Sequence, residues 1–97
     1  MAIEMDQFRA ERLLDKRLSP EIVLQVLESL DASRIDILRV EGFRKLDNDQ
    51  LQACLELIID FSHLQQFSTY EQIEIAKMFI SNRAKDDLLF EIIADVV

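Results

Sequence analysis

Between Asp47 and Phe67 the chain reads DNDQLQACLELIIDFSHLQQF, and this run restricts the fold more than any other. At about 100° per residue, its apolar side chains Leu51, Cys54, Leu55, Leu57, Ile58, Ile59, Phe61 and Leu64 cover an arc of roughly 220°. Gln52, Glu56, Asp60 and His63 share the narrow polar remainder. A helix so broadly apolar touches protein on more than one side, so the pattern predicts the central helix of a small bundle. Asp47 is expected to cap it, with Gln50 where a capping box takes Glu or Gln.

Little in the chain competes with helix. There is one glycine, Gly42, and one proline, Pro20. A sandwich or barrel needs far more turn chemistry than that. Hydrophobic residues make up 49% and charged residues 31%, which is enough apolar content to build a core and argues against disorder. The expected fold class is therefore all-α, a compact bundle of five to six short helices in one domain spanning residues 1–97, with antiparallel helix hairpins in the second half.

The flanking segments fit this frame unequally. Ile3 to Leu18 carries good helix formers, with Arg9, Arg12 and Lys16 on one line. Ser19-Pro20-Glu21 is a helix start: a side-chain acceptor, a proline for the first turn and an acid at the positive end of the dipole. That helix is expected to run to Leu30, with Ile22, Val23, Val26, Leu27 and Leu30 on one face. Ser68-Thr69-Tyr70-Glu71 is a full capping box and opens a helix to about Ser81. Residues 33–46 are ambiguous. Arg34-Ile35-Asp36-Ile37 alternates like a strand, but a lone strand finds no partner, which favours a short helix from Ser33 to Glu41 stopped at Gly42.

The last segment, from Asp86 onward, is read as a helix whose apolar residues cover roughly 240°. An outer helix hides about 100–160°, so this one has apolar surface to spare. The candidate contact residues are Leu89, Phe90, Ile93, Val96 and Val97, rimmed by Asp87, Glu91 and Asp95 at i, i+4 and i+8. The function this implies is a small acidic protein–protein interaction module, an adaptor, regulator or subunit, that binds another copy or a basic-rimmed protein through its C-terminal helix. On that reading Phe90→Asp removes association and leaves the fold intact.

Charge supports an acidic partner surface. The net charge is −8, and it is lopsided. Residues 1–46 hold nine acids and eight bases, whereas residues 47–97 hold ten acids and three bases, Lys77, Arg83 and Lys85. Such a surface repels phosphate backbones, so direct nucleic-acid binding is not expected. A small basic cluster, Arg39, Arg44 and Lys45, is the one place a nucleic acid would find. The alternative function is an acidic inhibitor or decoy that occupies a basic nucleic-acid-binding site on another protein.

Catalysis is not expected. Cys54 and His63 lie nine positions apart, on opposite sides of a helix, and cannot form a thiol–imidazole pair there. Asp60 and His63 have carboxylate-x-x-His spacing, but the chain has a single histidine and a di-metal site of that type needs two. No nucleotide, metal or nucleophile motif is present, so neither cofactor nor metal is expected. The single cysteine and the absence of a long apolar run or a secretion-type start point to the cytoplasm and away from membranes.

Overall fold

The computed structural model describes residues 5–62 and 67–96. It overturns the all-α helical-bundle reading. Among the described residues there are three helices, α1 (Gln7–Arg12), α2 (Pro20–Ser29) and α3 (Thr69–Arg83), and three strands, β1 (Ile35–Lys45), β2 (Leu51–Asp60) and β3 (Leu88–Val96). The strands form one antiparallel sheet in the order β2-β1-β3, and the helices pack on one side of it. The second half of the chain holds one helix between two strands, not helix hairpins.

The expected central helix is β2 together with the turn before it. Asp47-Asn48-Asp49-Gln50, read from sequence as a helix cap, is the loop of the β1–β2 hairpin. Asp49 sits in the left-handed region at φ 64°, a conformation that Asp tolerates better than most residues. Asn48 Oδ1 accepts from the Gln50 N–H at 3.2 Å. The Gln50 carbonyl accepts from the Leu46 N–H at 2.8 Å. Polar side chains do here what Gly does elsewhere, which is how a chain with one glycine closes a tight hairpin. His63, Leu64, Gln65 and Gln66, also assigned to the central helix, lie outside the described residues.

The expected short helix over residues 33–41 is part of β1. Its alternation is genuine, and the partners that seemed missing are β2 and β3, whose apolar breadth reads as helix when taken alone. Gly42 does not stop a helix; it lies inside β1, opposite Cys54 and Phe90. A Cβ there would stand 2.4 Å from Leu57 Cβ and 3.1 Å from Phe90 Cε1. Leu57 belongs to a bulge: Gly42 pairs with Cys54 but Glu41 pairs with Ile58, so three extra β2 residues arch over the glycine.

Where capping signals were specific, the helices hold. Ser19 Oγ accepts from the Ile22 N–H and Pro20 opens α2. Ser68 and Glu71 form both bonds of the capping box that opens α3. The first helix is shorter than expected: Asp6 caps it, it ends at Arg12, and Asp15 turns the chain at φ 63°. Arg9, Arg12 and Lys16 therefore do not share one helix.

The core lies between the helices and one side of the sheet. Val23, Val26 and Leu27 from α2 and Ile73, Ala76 and Ile80 from α3 meet Ile37, Val40, Phe90 and Ile92 from the strands. Phe90 is the largest of the fully buried side chains. Asp15 to Leu18 then runs along the outer side of β3. Leu18 exchanges both backbone hydrogen bonds with Phe90, at 2.9 and 2.8 Å, and the Asp15 N–H donates to the Ile92 carbonyl at 2.9 Å. No helix of the described chain is long and apolar enough to cross a membrane.

Candidate interaction face

Among the described residues one side of the sheet carries no helix, and strand register shows what lies on it. Residues paired across antiparallel strands point to the same side. Phe90 and Ile92 point into the core, so Leu89, Glu91, Ile93 and Asp95 point the other way. Their β1 partners are Phe43, Glu41, Arg39 and Asp36. From β2, Ala53 lies beside Phe43, Ile58 beside Glu41 and Asp60 beside Arg39. Leu89, Ile93 and Ile58 are half-buried and none belongs to the core cluster.

Phe43 is the anchor of this surface. It is buried without touching the main core. The Arg17 guanidinium, carried by the segment hung on β3, lies 4.3 Å from the centre of its ring. A cation over an aromatic face is attracted by the ring quadrupole and also shields it from water.

Next to Phe43 the electrostatics are unfavourable. Glu41 and Glu91 stand directly opposite each other on neighbouring strands, both half-buried. Like charges so placed cost stability. Burial pushes the Glu91 carboxyl above the usual carboxylate range, and Glu41 and Asp15 push it the same way. Arg17, and more weakly Arg39, pull it back. Arg39 Nε lies 3.3 Å from Glu41 Oε1, so Glu41 has a cation of its own. Asp36 and Asp95 repeat the like-charge pairing further along the same side.

The sequence-derived contact residues are distributed by this geometry. The C-terminal helix assigned to them is strand β3, whose β-branched and apolar residues alternate between a buried and an open side. Leu89, Glu91, Ile93 and Asp95 share the open side. Phe90 is in the core and cannot contact a partner. Val96 lies on the core side at the strand end, where it is 47% exposed. Asp87 precedes the strand, and its carboxylate stands 3.7 Å from Arg44 Nε. Val97 lies outside the described residues. Sequence reasoning missed Phe43, Glu41 and Arg17, and it grouped Arg39 with Arg44 and Lys45, although the strand puts Arg39 on the open side and Arg44 on the other. The Arg34–Ile37 alternation carried the signal for β1, but continued unbroken it puts Arg39, Glu41 and Phe43 on the side of Ile35 and Ile37; the extra residue Leu38 moves all three to the open side.

Cys54 is buried on the core side, its Sγ 3.6 Å from the Gln52 carbonyl. His63 lies outside the described residues. Among the described residues no group of three or more His, Cys, Asp or Glu side chains is placed to hold a metal ion. The chain matches no protein-family model, no curated protein and no solved structure.

Proposed function

We propose that this chain is a protein-interaction module that docks a basic, amphipathic segment of another protein on the helix-free side of its sheet. The observation that carries the reading is the Glu41–Glu91 pair, two half-buried carboxylates face to face among Phe43, Ile58, Leu89 and Ile93. In the isolated chain that arrangement costs stability, on the order of 0.2–1 kcal/mol. A partner's Lys or Arg placed between the carboxylates turns repulsion into attraction, while apolar neighbours supply contact area. The surrounding Asp36, Asp60 and Asp95 extend an acidic field that speeds encounter with a cationic partner.

Selection of a random peptide library on the immobilised protein tests this. The expected peptides alternate Lys or Arg with apolar residues, and their binding shifts backbone amides of Arg39–Phe43 and Leu89–Asp95 in NMR spectra. Ile93→Asp and Glu91→Lys, both at half-exposed sites, are expected to abolish binding while leaving the unfolding curve close to that of the parent. Peptides that are acidic or uncharged, or that shift the helices instead, refute the reading. Basic peptides insensitive to Ile93→Asp would indicate the electrostatic decoy.

A further inference from the structure

On the helix-bearing side of the sheet, away from the face just described, three cations converge. Arg44 near the end of β1, Arg83 at the end of α3 and Lys85 in the following turn line a cleft of about 450 Å3. Asn82 and Glu56 complete its walls, and Leu57 and Leu88, both buried, form its floor. The three arise from separate parts of the chain, so helix periodicity did not group them. The lining balance is +2, in a chain whose net charge is −8. A local reversal of sign against the field of the whole molecule selects what approaches.

The donors in this cleft are only partly used. Arg83 stacks on the Phe79 ring at 4.0 Å and donates one Nη1 hydrogen bond to the Phe79 carbonyl at 3.2 Å. That bond answers the negative end of α3 and fixes the guanidinium plane, leaving its other N–H groups available. Arg44 is held through Nε by Asp87, which leaves both of its Nη groups. Lys85 forms no ion pair among the described residues. Helix-end neutralisation accounts for Arg83 but not for Arg44 or Lys85.

We propose that this cleft binds a small phosphomonoester, with Arg44, Arg83 and Lys85 on the phosphoryl oxygens and Asn82 beside them. A phosphomonoester carries roughly −1.5 to −2 at neutral pH and offers three acceptor oxygens, one for each of the three cations, whereas a monocarboxylate offers two. The volume falls within the range of about 300–1,000 Å3 typical of small-ligand sites. Two preoriented guanidinium forks and one ammonium suit a tetrahedral oxyanion with several acceptors. The site stands apart from the sheet face and does not depend on the function proposed for it.

NMR titration at low salt with phenyl phosphate, inorganic phosphate and benzoate tests the assignment. Phenyl phosphate is expected to give saturable shifts at Arg44, Asn82–Lys85 and Leu88, and to bind more tightly than benzoate. Inorganic phosphate binding as well as phenyl phosphate would show that the phosphoryl group alone is read, which supports the site. Lys85→Gln and Arg44→Gln are each expected to weaken phenyl phosphate about tenfold, and Glu56→Gln to strengthen it. Arg12→Gln, at an exposed position on α1, is expected to change nothing. Non-saturating shifts, equal affinity for benzoate, or equal effects of Arg12→Gln and Lys85→Gln would each overturn the proposal.

Discussion

Among the described residues Gln72 is the buried polar side chain of the core, 5% exposed, on the α3 face that packs against β1. Its Oε1 accepts from the Ile37 N–H at 3.2 Å. The β1–β3 register slips between Ile37 and Arg39, leaving Leu38 as an extra residue. The Leu38 carbonyl turns to Phe61, accepting its N–H at 2.8 Å. Gln72 thus supplies an acceptor beside a bulge in the ladder. Gln72→Leu keeps nearly the same volume, so cavity formation contributes little, but it strands a buried N–H. The expected cost is about 1–3 kcal/mol. For a domain of this size each kcal/mol lowers the melting temperature by roughly 4–8 °C, so a cost near 2 kcal/mol means a drop of about 8–16 °C. Urea unfolding and thermal circular dichroism measure it, and the Ile37 amide should exchange faster in deuterium oxide. Gln72→Glu separates the contributions. It retains an acceptor but buries a charge, so its deficit should shrink in acid as the carboxyl protonates, while that of Gln72→Leu should not. A Gln72→Leu deficit below about 0.5 kcal/mol, the range of ordinary surface changes, would refute the role assigned to this bond.

Other substitutions probe other parts of the argument. Phe90→Ala should cost about 3–5 kcal/mol in chemical unfolding, because the ring is fully buried; Phe90→Asp, conceived from sequence as an interface variant, should instead prevent folding, as loss of dispersed amide signals would show. Gly42→Ala should destabilise by about 1–3 kcal/mol through collision with Leu57 Cβ, and Gly42→Ala combined with Leu57→Gly, which removes that Cβ, should do less than the sum of the two. Glu91→Gln should stabilise the protein at pH 7. Because the folded Glu91 carboxyl sits above its ordinary value of 4.5, the charged form opposes folding at neutral pH. That opposition fades as pH falls through the raised folded value and is gone below 4.5, so the two unfolding curves should converge there.

What the sequence disclosed, and what it hid, follows from the range over which each signal acts. Ser19-Pro20-Glu21 and Ser68–Glu71 located two helix starts because capping is settled within four residues. The strands are settled by partners elsewhere in the chain. Leu51–Asp60 and Leu88–Val96 have apolar residues on both sides of the strand, since one side meets the helices and the other carries the half-buried surface around Phe43. Two-sided apolar strands lose the clean alternation that separates period two from period 3.6, and on a helical wheel they appear as arcs of roughly 220–240°. The excess arc was itself the warning. An outer helix has no use for so much apolar surface, whereas a strand in a sheet uses both sides. The acidic set survived this change of period. Glu91 and Asp95 are four apart, and four is one helical turn and also an even number of strand residues, so they share a side in either structure. Phe90 and Ile93 are three apart, which unites them on a helix and divides them on a strand. That parity difference sends Phe90 into the core and leaves Ile93 with Leu89 and Glu91 on the open side. That parity holds only within an unbroken stretch of strand: Ile37 and Glu41 are also four apart, yet the extra residue Leu38 sends one into the core and the other to the open side, so an interaction surface needs strand register wherever a bulge intervenes.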